Sequence, residues 1–213
     1  LNLYTPCTVN TVLQDGTRVT LTQATAYPSD GVVNTRISLD GEKAFDLGFR
    51  IPRWCGNASV KVNGAATGAV CDRGSICTIA RTWKSGDEVE LTFPMALRLV
   101  KGRRSQAGRV AVMYGPLVFG LSKERNEGME AIPPRLLTMD VDSLEGPFPD
   151  DSVHPGGLSC AVGVWDPGQW YPGPVSRRLE LTEFADPGVE AAYFVVANPE
   201  DARLVDDELI AGR

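Results

Sequence analysis

At 213 residues, with 43% hydrophobic and 23% charged side chains, the chain has the composition of a globular protein long enough to bury a real core. A formal net charge of -6 and a pI near 4.9 argue against nucleic acid as a partner, because phosphates are held by basic surfaces. No apolar run approaches the ~20 residues that a membrane-spanning helix requires. The 22 Gly and 15 Pro residues, scattered along the chain, suit a turn-rich β architecture.

Leu1 to Leu13 reads as a first strand, turned at Asp15-Gly16. Val19 and Leu21 then alternate with Thr20 and Thr22 in a second strand that runs towards Tyr27 and breaks at Pro28-Ser29-Asp30-Gly31. Val33, Thr35, Ile37 and Leu39 form a third alternating run, and Asp40-Gly41 turns it. Next, Phe45, Leu47, Phe49 and Ile51 alternate with Ala44, Asp46, Gly48 and Arg50, a period of two that sends one set inward and the other outward. Pro52 closes that strand, since it cannot donate a ladder hydrogen bond. Val60 and Val62 lead to Asn63-Gly64, the dipeptide most tolerant of the positive φ of a tight hairpin. Ser85-Gly86-Asp87 makes another turn before Val89, Leu91 and Phe93. Strands at this spacing predict an antiparallel sandwich or barrel.

The polar, basic stretch from Lys101 to Ala107 marks the expected boundary between two domains, 1–100 and 101–213. Lys101, Arg103, Arg104 and Arg109 make an anion-binding patch on a functional reading, but an ordinary solvated loop is the preferred one. Beyond it, Arg109 to Leu121 reads as two strands broken at Gly115-Pro116, and Leu158 to Trp165 as another through Cys160, Val162 and Val164. Residues 126–157, rich in proline and acids, predict a long and largely irregular excursion. Leu179, Leu181, Tyr193, Val195 and Ala197 predict closing strands. Asn198-Pro199-Glu200-Asp201 resembles a helix start, so a short helix through Leu204, Val205 and Leu209 is expected at the end. The fold class is therefore all-β, with two β-sandwich-like (jelly-roll or Ig-like) antiparallel domains in tandem.

Chemistry is sparse. The five cysteines, Cys7, Cys55, Cys71, Cys77 and Cys160, are odd in number. Cys71 and Cys77 flank a plausible turn that would allow a disulfide, but free, half-buried thiols in a reduced, cytoplasmic bacterial protein are the preferred reading. They lack the close pairing of structural zinc ligands, and the single histidine, His154, stands far from them. Acids such as Asp15, Asp40 and Asp87 sit in turns, where they cap their own backbone. No pair of carboxylates stands out as the acid and nucleophile of a glycosidase. The stretch most suggestive of binding is Trp165-Asp166-Pro167-Gly168-Gln169-Trp170-Tyr171-Pro172-Gly173-Pro174. Its rings could stack on sugar faces, with Asp166 and Gln169 as hydroxyl partners. The competing reading folds the rings back over the end of a sheet. Trp54 and Trp83 are expected to plug a sandwich edge.

Several strings in order resemble one family. They are Phe49 to Trp54, Val60-Lys61-Val62-Asn63-Gly64, Arg81-Thr82-Trp83-Lys84-Ser85-Gly86-Asp87, Pro94-Met95-Ala96-Leu97-Arg98-Leu99, and Arg109 into Gly115-Pro116-Leu117-Val118. Together they resemble the C-terminal β-sandwich region that follows the catalytic barrel in the bacterial β-L-arabinofuranosidase family of glycoside hydrolases. The likeness covers roughly Leu1 to Leu121. It implies an accessory, non-catalytic region of an enzyme acting on arabinose-containing plant glycans, with an (α/α) barrel upstream in the same polypeptide as its partner. A carbohydrate-binding module and a structural or adhesion sandwich are the alternatives. The family's zinc-held cysteine nucleophile belongs to the barrel, so no catalytic residue and no cofactor are assigned to this chain. On the same reading the chain is a fragment, and the edge at Leu1-Asn2-Leu3-Tyr4 is expected to promote self-association.

Overall fold

The computed structural model describes residues 1–169 and 173–206, and the chain divides into two compact units, Leu1–Met95 and Ala96–Arg213. The protein is all-β. The described residues hold strands and two short 3-10 turns, at Arg104–Gln106 and Pro134–Leu136, and no α-helix.

In the first unit, β1 (Cys7–Val12), β2 (Arg18–Thr25), β3 (Val32–Leu39), β4 (Glu42–Arg50), β5 (Ser59–Val62), β6 (Ala65–Ala66), β7 (Ile76–Lys84) and β8 (Glu88–Thr92) form two sheets. One has the order β1-β2-β3-β8-β5-β6, and the other is the ribbon β4-β7. Alternation decides which side chains meet between them. Val33, Ile37, Phe49, Ile51, Trp83, Val89 and Leu91 are all fully buried, while most of their sequence neighbours are exposed or half-buried. Trp83 is a core residue in the middle of this packing rather than an edge plug, and its Nε1 donates to the Phe45 carbonyl at 2.9 Å. Trp54 is half-buried against the Phe93 ring.

The turns follow their predicted chemistry. Asn63 and Gly64 both adopt positive φ, 52° and 80°, in the β5–β6 hairpin. At Gly31 a Cβ would lie 2.0 Å from the Phe93 carbonyl oxygen, so only glycine lets the two backbones approach. Leu1 to Tyr4 is not the start of a strand. It lies along β4 instead, where Arg50 N donates to Leu1 O at 3.0 Å and Tyr4 Oη to Arg50 O at 2.6 Å. Tyr4 is buried and Leu3 is exposed. Cys71 and Cys77 are joined in a disulfide with their Cα atoms 4.7 Å apart, which corrects the preference for free thiols at these two positions. Cys7, Cys55 and Cys160 remain free.

The second unit contains β9 (Leu97–Lys101), β10 (Arg109–Tyr114), β11 (Leu117–Ser122), β12 (Thr138–Pro149), β13 (Leu158–Trp165), β14 (Arg177–Glu183), β15 (Val189–Ala191), β16 (Phe194–Val196) and β17 (Leu204–Val205). Their order is β15-β11-β14-β13-β12-β16-β10-β9-β17. Because β10 also pairs with β11, the sheet closes on itself like a barrel around Val110, Val112, Phe119, Leu121, Met139, Val162, Leu181 and Phe194.

Four expectations are corrected here. First, the basic stretch after Lys101 is the tip of the β9–β10 hairpin, in which Val110 pairs with Lys101, so the units part at Met95/Ala96 rather than at residues 100 and 101. At the end of β9, before this tip, Lys101 lies 4.0 Å from Glu200. Second, residues 138–149 of the supposed irregular excursion are the longest strand among the described residues. Third, the inward residues of β16 are Phe194 and Val196, one position out of step with the expected Tyr193 and Val195. Fourth, Asn198 Oδ1 does accept the Glu200 N–H at 3.1 Å, but Leu204 then enters β17, parallel to β9, and is buried. The chain gains more by burying Leu204 on a sheet edge than by continuing one short, uncovered helix. Leu209 lies outside the described residues.

Candidate functional site

β13 delivers Trp165 to the end of the closed sheet, and β14 leads away from it. The intervening loop is organised by its own polar groups. Asp166 O accepts the Gln169 N–H at 3.1 Å, Ser176 N donates to Val164 O at 2.8 Å, and Ser176 Oγ accepts the Asp166 N–H at 3.0 Å. Trp165 is 5% exposed, and its Nε1 donates to Gly173 O at 2.9 Å. The Asp166 carboxylate takes both arms of one guanidinium, Arg177 Nε at 2.8 Å and Nη2 at 2.6 Å. That charge-assisted hydrogen bond raises the Arg177 pKa further above its ordinary value. Arg177 Nη1 also donates to Gly128 O at 3.2 Å.

The expected sugar platform is therefore divided. The structure brings Trp165 and Asp166 together but commits the first to packing and the second to an ion pair. Gln169 is exposed on the loop, while Trp170 and Tyr171 lie outside the described residues.

Beside this loop the second unit carries a polar cluster that no local pattern announces. Arg125 Nε donates to Asp186 Oδ2 at 2.7 Å, and its other nitrogens reach Ser152 Oγ and Ser152 O. Thr182 Oγ1 and Gly188 N also donate to Asp186. Burial alone would raise the Asp186 carboxyl, but these hydrogen bonds outweigh it and hold the pKa below the usual value. Asn126 bridges the backbone of two strands, donating to Ser122 O and Glu180 O and accepting from Glu180 N. The partners lie up to 61 residues apart in sequence, so only folding joins them.

His154 is the remaining acid-base group of interest. Its Nε2 faces Glu183 Oε2 at 3.1 Å and its Nδ1 faces Pro155 O at 3.1 Å. Both partners accept, so the imidazolium, which donates from both nitrogens, is the form that satisfies them. The Glu183 hydrogen bond accordingly raises the His154 pKa. Glu183 is buried and its other oxygen accepts the Leu158 N–H at 2.8 Å. The pair ties the loop after β12 to β14, with the imidazole 41% exposed and the Glu183 carboxylate buried behind it.

Burial pushes the Cys160 thiol up to about 12 and raises Cys55 as well, which disfavours the thiolate needed for nucleophilic attack or metal ligation. Among the described residues no group of three or more His, Cys, Asp or Glu side chains could hold a metal ion. A zinc-thiolate centre of the kind the resemblance implies for the barrel does not fit these residues.

Comparison with known proteins sets these units in context. Residues 1–95 match the family model described as the β-L-arabinofuranosidase, GH127 middle domain. That name specifies a middle domain, whereas the resemblance placed the chain in the C-terminal region. The non-reducing end β-L-arabinofuranosidase of Bifidobacterium longum subsp. longum is 32% identical over 119 residues, covering 52% of this chain and 18% of that protein. A crystal structure of a GH127 β-L-arabinofuranosidase from Geobacillus stearothermophilus T6 superposes with a TM-score of 0.75 at 27% identity, covering 91% of this chain and 33% of that one. A further GH127 β-arabinofuranosidase, at 22% identity and a TM-score of 0.73, shares the fold. The chain thus spans 18% of the curated relative and about a third of the solved enzymes it matches.

Proposed function

We propose that this chain is the non-catalytic β region of a GH127-type glycoside hydrolase acting on arabinose-containing glycans, and that it buttresses a catalytic barrel in the same polypeptide. The match of residues 1–95 to the GH127 middle domain carries the reading. The residues themselves are consistent with it: the cysteines are buried, half-buried or disulfide-bonded, and the imidazole is committed to a tether. Catalysis would then reside in the barrel, with any zinc it uses. These units would supply rigid sheets against which that barrel is held.

The test compares the 213-residue chain with the complete product of its gene on an aryl β-L-arabinofuranoside. The expected result is release of the aryl group by the complete product and none by the 213-residue chain. Hydrolysis by the 213-residue chain, or an inactive complete product, overturns the proposal.

A further inference from the structure

The outward face of β12, β13 and β14 carries a depression of about 430 Å³ that the proposed role does not use. Its floor is Ala161, which lies directly between Glu145 of β12 and Glu180 of β14 in the strand register. Phe148, one row away, pairs with Ser159 and is 45% exposed.

Strand geometry alone would not place Phe148 there. Glu145 opposes Ala161 and Phe148 opposes Ser159, so three steps along β12 match two along β13. That one-residue bulge changes the parity. Without it, a side chain three positions after an outward Glu145 would point into the core. The bulge is also built: at Gly146, with φ of 118°, a Cβ would lie 3.1 Å from Cys160 Cβ and 3.3 Å from Ser159 O, so a side chain there would be strained and crowded. A large apolar ring has been turned away from the core and left beside a small-residue floor.

The rim decides what chemistry fits. Arg178 pairs with Glu145, Arg177 with Asp166, and Arg125 with Asp186. Glu180 also lies 3.5 Å from Arg125 and Glu127 adds another carboxylate, so every guanidinium here is paired and none is left over to hold an anion, while the depression offers N–H donors and carboxylate acceptors. Arg178 and Glu180 keep 49% and 44% of their side-chain surface exposed, available to hydroxyl groups. An exposed aromatic face beside paired polar groups suits a ligand with apolar C–H faces and many hydroxyls.

We infer that the Phe148 face is a binding site for a neutral oligosaccharide. The inference rests on the proposed function only in choosing which sugars to offer first. A sugar ring would lie on Phe148 above Ala161, with its hydroxyls meeting Arg178 and Glu180.

The test is calorimetric and NMR titration of the 213-residue chain with arabinotriose, xylotriose, cellotriose and inorganic phosphate. Saturable binding of at least one trisaccharide is expected, with none for phosphate. Phe148→Ala should weaken it about tenfold or more, while Phe148→Trp preserves it. Arg178→Ala provides a second variant should Phe148→Ala alter the melting curve, and is expected to weaken binding in the same titration. The inference is overturned by absence of saturable binding to any of the three sugars, by phosphate displacing a bound sugar, or by unchanged affinity in folded Phe148→Ala or Arg178→Ala. Failure here beside an active gene product would discard this site alone. Sugar binding beside an inactive gene product would discard the proposed enzyme and leave the site.

Discussion

The two units solve the same problem, enclosing an all-β core, by different means. In Leu1–Met95 the core-forming strands β2, β3, β5, β7 and β8 keep a period of two, and β2–β3 and β4–β7 pair residue by residue without a shift. The buried Asp87 carboxylate accepts from Asn63 Nδ2 at 2.8 Å and from Lys84 N at 3.0 Å, which locks two turns together. In Ala96–Arg213 the longest described strand shifts register twice, β12–β16 and β9–β17 pair in parallel, and side-chain clusters from distant segments hold the loops. Regular strands build a scaffold with few special positions. Interrupted ones re-aim side chains such as Phe148, at the cost of polar networks that must be satisfied.

If that contrast is right, the first unit should be most sensitive to loss of core volume. Trp83→Ala removes the largest fully buried side chain, together with its hydrogen bond to Phe45 O and the stacking of Arg81, which lies 5.1 Å from the ring centroid. A loss of about 3–5 kcal/mol is expected in chemical denaturation followed by tryptophan fluorescence and circular dichroism. A loss below about 1 kcal/mol would mean that the β4–β7 ribbon does not depend on this ring.

A smaller effect is expected at Asp87, where the comparison concerns turns rather than volume. Asp87→Ala leaves Asn63 Nδ2 and Lys84 N without their acceptor, and should cost about 2–3 kcal/mol. Burial would raise this carboxyl, but hydrogen bonds from Asn63 and Lys84 with the charge of Arg81 lower it overall. Its contribution is therefore present above the ordinary carboxyl pKa of 3.8 and lost as pH falls through the lowered folded value. Melting the variant and the parent across an acid series checks this: the gap should narrow only at the acid end.

The smallest effect belongs to the second unit, at the exposed tether of His154. Its pKa is raised in the folded state, so the His154–Glu183 contact stabilises fully below the ordinary histidine value of 6.5 and fades as pH rises through the folded value. His154→Gln should lower Tm slightly near about pH 5 and hardly at all near about pH 9. A difference that grows with pH would mean the neutral imidazole is the bound form.

Local pattern alone determined much of this protein. Alternating runs at Val19, Val33, Phe45, Val60 and Val89 each mark a strand, because a half-buried sheet imposes a period of two on any sequence that forms it, and the apolar runs through Val110 and Val162 mark two more. Asn63-Gly64 likewise declares its hairpin through the φ angles it tolerates. The ordered strings from Phe49 to Val118 were enough to name the family whose middle domain residues 1–95 match. Tertiary structure alone decided the rest. β12 carries prolines and two register shifts, so no period survives in its sequence, and only pairing with β13 makes it a strand. Trp165, legible as a platform, is drawn inward by Gly173 O, and Asp166 is claimed by an arginine eleven residues on. Leu204 reads as helical until β9 offers it an edge. In each case a contact made only by the folded chain outweighs a local preference, since burial and charge pairing are worth more than the fraction of a kilocalorie that separates one backbone conformation from another.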